Sequence, residues 1–394
     1  MERFDAIVVG AGPAGSTAAY RLATAGSRVL LLDKARFPRD KPCGGGLTFR
    51  AVKQLPVSPD PVVEHVVDRM GFRLRYGTRF ERRGRAPLIL MTQRRWLDHY
   101  LVEQAVAAGA QFRDGVKLTD VWAAENGAGV SVDGTPVEAE VLVGADGVNG
   151  PTRKALDLGG EYVLGVAFEG NVPKALVGSR FDGIAEFELG TIPGGYGWVF
   201  PKGDHVNVGV GGWEHTGPTL REHLRVLCRA YSIPEESVSE LRGHRLPLRK
   251  AGSLAARGRA LLVGDAAGVV DPLTGDGMFE AFASSRLAAD EIAGLFAGQV
   301  ENLDGYTEKL SNALGLGAAA SWGAKIAFDR YPRLTFTLGR MPLAWGVVER
   351  MLNGDLRHPG DQRGPARFGL KAIEGLAKLA GDPGAGYRAE AGTA

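Results

Sequence analysis

A glycine-rich turn near the N-terminus, GAGPAG at residues 10–15, constrains the fold of this chain more than any other feature. An apolar run from Phe4 to Gly10 precedes the turn, and a segment of helix-forming residues from Pro13 to Ala25 follows it. A second apolar run, Val29 to Leu32, ends on Asp33. Strand, helix and strand therefore fit into about 30 residues, the size of a minimal parallel unit. This order predicts the first unit of a parallel, Rossmann-like sheet.

The glycines of the turn have separate roles. Gly10 permits the tight turn, Gly12 lets the backbone approach a pyrophosphate, and Gly15 lets the helix pack closely on the strand. The N-terminus of the helix then offers N–H groups to the anion. Asp33 lies 18 residues after Gly15, where a carboxylate accepts hydrogen bonds from ribose hydroxyls. The turn therefore predicts a bound dinucleotide, and both FAD and a nicotinamide cofactor satisfy it.

Composition places the chain among ordinary globular proteins. It has 394 residues, of which 44% are apolar and 23% charged, enough for two or three packed lobes. Its formal net charge of +2 gives no field of the kind that marks a nucleic-acid-binding protein, so we expect no nucleic-acid partner. The histidines show no metal-ligand spacing, and no metal site is predicted.

The cysteine content and the apolar segments bear on localisation. Cys43 and Cys228 cannot build a disulfide framework; a single bridge between them stays open, and a reduced chain is the simpler interpretation. The apolar run that begins at Phe4 leaves no room for a signal peptide, and no stretch approaches the roughly 18 apolar residues of a membrane span. We expect a cytoplasmic protein, with any membrane contact peripheral, at the inner membrane surface.

Other elements can be predicted from periodicity. Helical spacing runs from Trp96 to Ala108, and β-like alternation with frequent Gly and Pro runs from Glu161 to Trp213, which predicts an antiparallel lobe. Ala260 to Val263 is another buried strand, and a helix is expected from the following loop through Phe296. Beyond Tyr306 the chain is predicted to be helical.

Two later turns resemble those of the aromatic hydroxylase superfamily of flavoproteins. Residues 144–153 (GADGVNGPTR) resemble its D-G turn, and residues 264–278 (GDAAGVVDPLTGDGM) resemble its G-D motif. In that superfamily the Asp of the G-D motif holds a ribityl hydroxyl of the flavin, and the next helix begins opposite the isoalloxazine. An Asp at a strand end followed by glycines at a helix start suits that role physically. The resemblance implies FAD rather than a nicotinamide cofactor as the bound dinucleotide.

Two further segments narrow the resemblance. Residues 41–46 (KPCGGG) and 193–202 (PGGYGWVFPK) are similar to motifs of the geranylgeranyl reductase family, whose substrate-lobe motif is P-x-x-Y-x-W-x-F-P followed by a small or basic residue. The resemblance covers roughly residues 4 to 300. It implies an FAD-dependent reductase that saturates C=C bonds of geranylgeranyl or other isoprenoid chains. Asp276 stands where a Glu is common in this family.

The resemblance also implies a set of cofactor contacts. Asp33 is expected at the adenosine ribose, Leu118 at the adenine, and Arg94 of the pattern R-x-x-x-D near the pyrophosphate. Cys43 and Gly44 are expected beside the ring system. The complete predicted set is Gly10, Gly12, Ala14, Gly15, Asp33, Cys43, Gly44, Arg94, Leu118, Asp265, Gly277 and Met278.

The Tyr–x–Trp–x–Phe triplet at residues 196–200 places three rings on one face of a strand. A sheet core and the wall of an apolar cavity are both compatible with it, and the flanking prolines and glycines favour the wall. Saturating an isolated alkene needs a proton as well as a hydride, and ring faces stabilise positive charge at the tertiary carbon. The catalytic candidates are Cys43, Tyr196 and Trp198; the proton donor stays open between Cys43, Tyr196 and solvent.

The predicted fold is a mixed α/β one. A discontinuous Rossmann-like FAD-binding domain with a parallel sheet takes residues 1–75, 94–158 and 252–305. An antiparallel β substrate lobe takes residues 76–93 and 159–251, and a helical C-terminal region takes 306–394 and ends in a frayed tail. Aromatic and basic residues alternate between Ser321 and Leu352, which suits either a membrane interface or helices that close over the FAD lobe.

Two other functions and the reaction partners stay open. A flavin-dependent monooxygenase or halogenase on the same scaffold is the main alternative, and a non-catalytic flavoprotein or lipid carrier is disfavoured by the complete set of flavin motifs. NADPH or a ferredoxin-like protein is the expected electron donor, because the single dinucleotide turn is taken by FAD. The expected substrate is a prenylated lipid, quinone or pigment precursor.

Overall fold

The structure, a computed structural model, describes residues 2–250, 252–356, 363–364 and 366–380. The strands are β1 Glu2–Val9, β2 Val29–Leu32, β3 Gly46–Thr48, β4 His65–Val67, β5 Arg69–Leu74, β6 Arg79–Arg83, β7 Ile89–Met91, β8 Gln111–Arg113, β9 Leu118–Ala124, β10 Gly127–Val132, β11 Thr135–Gly144, β12 Tyr162–Pro173, β13 Ile184–Leu189, β14 Tyr196–Pro201, β15 His205–Trp213, β16 Ser239–Arg249, β17 Ala256–Arg257 and β18 Ala260–Leu262. The helices are α1 Pro13–Thr24, α2 Phe49–Val52, α3 Arg94–Ala107, α4 Thr152–Ala155, α5 Lys174–Val177, α6 Leu220–Ala230, α7 Met278–Phe296, α8 Tyr306–Arg330, α9 Pro332–Gly339, α10 Pro342–Leu352 and α11 Ala366–Leu379.

The first sheet has the order β17-β18-β11-β1-β2-β8, and a hairpin of β9 and β10 extends it from β11. Strand β1 pairs in parallel with β2 and β11, and the pairs β2–β8 and β11–β18 are also parallel. Its central strands bury apolar residues on both faces: Ala6, Val8 and Leu31 pack with α1 and α7, and Ile7, Leu30 and Leu142 pack with the β9–β10 hairpin. The predicted mixed α/β class with a parallel Rossmann-like sheet is confirmed.

The second sheet has the order β16-β12-β15-β14-β13-β5-β6. Two details of the predicted substrate lobe are wrong. Strand β5 belongs to this sheet, although the prediction began the lobe at residue 76, and its pairing with β13 is parallel rather than antiparallel. The reason is the turn at Arg75 and Tyr76, which joins β5 to β6 in a hairpin and carries both strands into one sheet. Strand β7, also predicted to lie in the lobe, forms a third sheet with β3 and β4.

The two faces of the second sheet have different partners. One face packs on helix α6 through an apolar core that includes Val199, Val208, Leu224 and Leu227. The other face is turned towards the loop after β2 and towards helices α9 and α10. This second face positions the candidate site, because the loop of residues 43–46, called the CGGG loop below, packs against it.

The described part of the C-terminal region is helical, from α8 to α11. The predicted frayed tail falls on residues 381–394, outside the described residues. Among the residues that the structure describes, no helix combines the length and the apolar character needed to cross a bilayer.

Candidate active site

The glycine-rich turn lies between β1, the end of β11 and the start of α1. Gly10 has a left-handed backbone with φ of 102°, and a Cβ atom there would overlap the backbone of Ala145. A Cβ atom on Gly15 would overlap the carbonyl oxygen of Gly10. Both positions therefore require glycine. Gly12 is the N-cap of α1 in an extended conformation, so the first N–H groups of this helix point towards the place of an anion.

Asp33 directly follows strand β2 and lies beside the turn. Its carboxylate accepts the N–H groups of Ala11 and Ala35, each at 2.8 Å. Its carbonyl accepts the N–H of Val116 at 3.1 Å, which brings the start of β9 and the half-buried Leu118 near the same strand end. The ribose and adenine contacts predicted for Asp33 and Leu118 thus fall in one region, and both contacts stay predictions.

Two guanidinium groups lie beside the turn. A Cβ atom on Gly12 would be 3.6 Å from an Nη atom of Arg39 and 3.7 Å from one of Arg94. Arg94 binds Asp98 through two hydrogen bonds of 2.7 Å, and Arg39 binds it through one of 2.7 Å. Burial disfavours the cation, but Asp98 outweighs burial and raises the pKa of Arg94 above its usual value. Two cations for one carboxylate leave positive charge beside the helix N-terminus, which suits a pyrophosphate.

Asp265 lies in the 3-10 turn Gly264–Ala267 that follows β18. Its carboxylate is 3.1 Å from Lys41 Nζ and 3.5 Å from His244 Nε2. Burial opposes the ionisation of Asp265, yet Lys41 and His244 outweigh it and hold the pKa of this carboxyl well below its usual value. Asp265 is therefore an anion at neutral pH, the form that accepts hydrogen bonds from hydroxyl groups most strongly.

Close glycine contacts join Asp265 to the glycine-rich turn. A Cβ atom on Gly264 would be 2.8 Å from the Cβ of Ala14, and one on Gly277 would be 3.4 Å from Oδ1 of Asp265. The absence of side chains at Gly264 and Gly277 therefore leaves a groove between the start of α1 and the start of α7. A side chain at either position would narrow this groove. An extended dinucleotide with its phosphates at α1 and its ribityl chain at Asp265 fits this arrangement of donors and acceptors.

The N-terminus of helix α7 is bound by a side chain from the same loop. Asp276 Oδ1 accepts the N–H of Met278, the first residue of the helix, at 2.8 Å. Burial raises the pKa of Asp276 to about 6. A shorter Asp in place of the family's Glu therefore still satisfies a backbone group at the start of this helix.

The loop that carries Cys43 packs against strand β14. A Cβ atom on Gly44 would be 2.9 Å from the ring of Phe200. Gly45 has φ of 69°, and a Cβ atom there would overlap the carbonyl oxygen of Thr92. The N–H of Gly45 donates to Cys43 Sγ at 3.3 Å. The CGGG loop and the YGWVFPK segment, which are far apart in the sequence, thus contact each other in the fold.

The rings of Tyr196, Trp198 and Phe200 lie on the face of the second sheet opposite α6. Their centroids are 5.9 Å apart between Tyr196 and Trp198, and 6.2 Å apart between Trp198 and Phe200. Phe187 of β13 contacts both outer rings, at 5.7 and 5.2 Å. Val199, between them in sequence, packs in the core with α6 instead. These four rings, called the aromatic wall below, lie outside the sheet–helix core and meet the CGGG loop.

The polar atoms of the aromatic wall have defined partners. The Tyr196 hydroxyl donates to the carbonyl of Thr274 in the loop before α7. Burial raises the pKa of Tyr196, which keeps this phenol neutral. Trp198 Nε1 donates to Asn207 Oδ1 at 2.7 Å. Of the three catalytic candidates, Cys43 lies on the loop, and the two aromatic candidates lie on the wall that it meets.

Sequence reasoning missed several polar residues of this region. Glu169 and His244 lie on strands β12 and β16, where no local pattern distinguishes a site residue from an exposed strand residue. Arg39 and Lys41 were detectable in principle, because the basic stretch RDKP directly precedes the CGGG segment.

Comparisons with known proteins agree with this geometry. Residues 3–313 match the family model described as FAD binding domain. The menaquinone reductase of Mycobacterium tuberculosis is 35% identical over 310 residues, which cover 73% of this chain and 76% of that protein. The digeranylgeranylglycerophospholipid reductase 1 of Methanopyrus kandleri is 33% identical, covering 73% and 80%. The geranylgeranyl diphosphate reductase of Rhodobacter capsulatus is 30% identical, covering 73% and 74%.

Solved structures show the same fold. A geranylgeranyl bacteriochlorophyll reductase-like protein of Thermoplasma acidophilum superposes with a TM-score of 0.75 at 20% identity, covering 99% of this chain and 98% of that one. A flavin-dependent brominase has the same TM-score at 19% identity, covering 96% and 100%, so the fold alone does not separate reductases from halogenases. The three relatives named as reductases, each at 30% identity or more, do. The chain therefore belongs to the geranylgeranyl reductase family of FAD-dependent oxidoreductases.

Proposed function

We propose that this protein is an FAD-dependent reductase that saturates C=C bonds of an isoprenoid chain. The observation that carries the proposal is the contact between the aromatic wall and the CGGG loop, where Gly44 leaves room for the ring of Phe200. Rings on one side and the flavin loop on the other suit an apolar, linear substrate that offers nothing to hydrogen-bond. The relatives are named for geranylgeranyl and digeranylgeranyl compounds and for menaquinone, which all carry isoprenoid chains.

The residues of the chain supply what the cofactor does not. FAD, when bound and reduced, supplies the hydride for the double bond. Tyr196 and Trp198 present ring faces that stabilise positive charge as a proton reaches the alkene. Cys43 is the proposed proton donor, because the hydrogen bond from the Gly45 N–H to its sulfur stabilises the thiolate left behind. Tyr196 suits this role less, because burial raises its pKa and its hydroxyl is bound to Thr274.

One cavity in the described part of the chain is lined by charged as well as apolar residues, the charged ones being Arg50, Arg249, Asp271 and Glu280. It lies between the loop before α7 and helix α8, and its lining includes Val270, Leu310, Leu314, Ala318 and Met351. Asp271, also in the lining, binds the N–H and hydroxyl of Thr274, the residue whose carbonyl accepts the Tyr196 hydroxyl. With four charged residues in its lining, this cavity is not the proposed site of the isoprenoid chain.

Anaerobic single-turnover kinetics test the proposal. The protein is reduced with dithionite, which bypasses the predicted electron donor, whether NADPH or a ferredoxin-like protein. A geranylgeranyl compound should then reoxidise the flavin, and its fully saturated phytanyl analogue should not. Flavin that is reoxidised only by oxygen, with a halogenated or hydroxylated product, would replace the reductase by the monooxygenase or halogenase alternative.

The FAD is expected to be bound without a covalent link. The site holds it through backbone N–H groups of the turn, the guanidinium groups of Arg39 and Arg94, and the carboxylates of Asp33 and Asp265, all of which are lost on unfolding. Acid precipitation should therefore leave the yellow colour in the supernatant. Colour that stays in the washed pellet would contradict this prediction.

The C-terminal helices carry the proposed membrane contact. Of the two interpretations left open for these helices, the interfacial one is not supported by the rings of Trp322 and Phe336, which are buried: Trp322 contacts Trp213, and Phe336 contacts Phe80. Phe368 and Leu379 of α11 are exposed; on α9, α10 and their connection the exposed large apolar side chains are aliphatic: Leu334, Met341, Leu343 and Val348. Exposed Arg333 and Arg340 lie among them, which suits an anionic lipid surface.

The double substitution M341E/L343E should weaken binding to vesicles of phosphatidylcholine and phosphatidylglycerol by more than about tenfold, because two side chains lose their apolar contact with lipid. Sedimentation with vesicles at low and high salt measures the effect. L176E is the control, since Leu176 is equally exposed but lies on α5, on the α6 side of the second sheet and away from α9 and α10. A wild-type protein that never pellets with vesicles, or equal loss in L176E, would rule out this surface.

A further inference from the structure

A buried carboxylate and a buried ammonium hold the loop that carries Cys43. Glu169 of β12 is 7% exposed, and its Oε1 accepts the N–H of Cys43 at 2.6 Å. Lys202, directly after β14, is 2% exposed, and its Nζ donates to the carbonyl of Gly44 and, at 2.8 Å, to that of Thr92. The two side chains thus bind opposite ends of the Cys43–Gly44 unit.

The loop needs such external partners. Three consecutive glycines follow Cys43, and strand pairing begins only at Gly46. Glycines have many accessible backbone conformations, so the loop has little intrinsic preference for the one seen here. Apart from the hydrogen bond from the Thr92 N–H to the Gly45 carbonyl, the hydrogen bonds described for Cys43, Gly44 and Gly45 involve Glu169, Lys202 and the Cys43 sulfur.

Glu169 is also connected to the aromatic wall. Glu169 pairs in register with Gly209 of β15, and Gly209 pairs with Trp198 of β14, so the three lie in one row across the sheet. A Cβ atom on Gly209 would overlap the Trp198 indole, which therefore lies across β15 towards Glu169. Asn207 lies beside both groups, since it accepts the Trp198 N–H and is close enough to Glu169 to favour its carboxylate form.

Two charges buried in this way are not expected for stability alone. Desolvation makes buried charges costly even when they are paired, and apolar residues of similar volume often serve a fold equally well. Burial raises the pKa of Glu169 to about 7 and lowers the pKa of Lys202 to about 8. Perturbed groups of this kind next to a cleft are typical of functional sites.

We propose that Glu169 and Lys202 are positioning residues: they fix the Cys43–Gly44 peptide unit at the flavin and tie it to Trp198 of the aromatic wall. This inference rests on the proposed function and deepens it, because it names what sets the distance between the proton donor and the substrate wall. Glu169 itself transfers no proton; an oxygen acceptor at its position is what the loop requires.

Amide hydrogen exchange of the loop tests the positioning independently of activity. E169A should accelerate exchange in a peptide covering residues 41–46 by at least tenfold, because the Cys43 N–H loses its acceptor. E169Q should keep exchange near the wild-type rate, since its amide oxygen still accepts that N–H. E188A is the matched control: Glu188 is also a buried glutamate that accepts a backbone N–H, that of Tyr76, but it lies on β13 away from the loop. Unchanged loop exchange in E169A would overturn the proposal.

Turnover supplies the second measurement. E169A should lower kcat on a geranylgeranyl substrate more than tenfold with KM within about twofold and FAD occupancy unchanged, and E169Q should recover most of kcat. In a C43A background the E169A change should have little further effect, because Glu169 acts through that residue. An E169Q as slow as E169A would overturn positioning in favour of proton transfer by Glu169. Faster loop exchange in a protein that reduces no prenyl compound would instead overturn the proposed function and leave the positioning intact.

Discussion

Replacing Asp265 with alanine is expected to remove most of the FAD from the purified protein. A charge-assisted hydrogen bond to the ribityl chain contributes about 1.5–3 kcal/mol, which corresponds to a loss of affinity of roughly 10- to 150-fold. The substitution also leaves Lys41 and His244 without the carboxylate they share, so the segment that carries Lys41 loses a contact beside the flavin site. Both effects weaken cofactor retention in the same direction.

The ratio of flavin to protein absorbance after gel filtration, followed by FAD titration of the apoprotein, measures this loss. D290A is the control, because Asp290 is an exposed aspartate on α7 that pairs with Arg286 at the surface. Equal flavin occupancy in D265A and the wild type would show that Asp265 does not hold the cofactor. The dependence on pH has a definite sign: a lowered pKa means that the stabilisation by Asp265 is complete above its ordinary pKa, near 3.8, and is lost as pH falls below that value.

Replacing Trp198 with alanine should have the other large effect. The indole is almost fully buried, so its removal should lower the free energy of unfolding by about 3–5 kcal/mol and leave Asn207 without its N–H partner. Turnover should fall further than unfolding explains, because the wall loses the ring between Tyr196 and Phe200. W198F separates the two effects: it keeps a ring face but loses part of the buried volume and the hydrogen bond, the latter at a cost of about 1–3 kcal/mol.

Urea unfolding and single-turnover flavin reoxidation, measured on the same samples, give the two quantities. W122A is the control, because Trp122 also lies over a cross-strand glycine, Gly129, but on the β9–β10 hairpin outside the site. The account expects W198F to be more active than W198A at equal folded fraction. Activity that is proportional to the folded fraction in both variants would show that Trp198 has only a structural role.

The parts of the fold that could be predicted from sequence are those with local causes. The turn at residues 10–15 is one: a buried strand, glycines and a helix follow one another, and the overlaps at Gly10 and Gly15 explain why no other residue fits. The parallel pairing of β5 with β13 could not be predicted, because it joins segments more than 100 residues apart. The hairpin that joins β5 to β6 is also weakly marked in sequence. The membership of β5 in the second sheet was missed for the same reason.

The site divides in the same way. The glycine-rich positions that are proposed to hold the cofactor could be named, because backbone conformation restricts those positions. Glu169 could not, since a carboxylate in the middle of β12 looks like an exposed strand residue until the CGGG loop is placed over it. The side of the aromatic triplet was also undetermined by period alone, because both faces of β14 are covered: Val199 by α6, and Trp198 by the loop side.

Product mass is the most direct test of the central claim, that this protein saturates isoprenoid double bonds. The dithionite-reduced protein is incubated without oxygen with a geranylgeranyl compound, and the product is analysed by mass spectrometry beside a reaction that lacks protein. The account predicts a product heavier by two hydrogen atoms for each double bond reduced, formed by the wild type and strongly diminished in W198A. An unchanged geranylgeranyl compound, together with an oxygen-dependent hydroxylated or halogenated product when oxygen and halide are admitted, would contradict it.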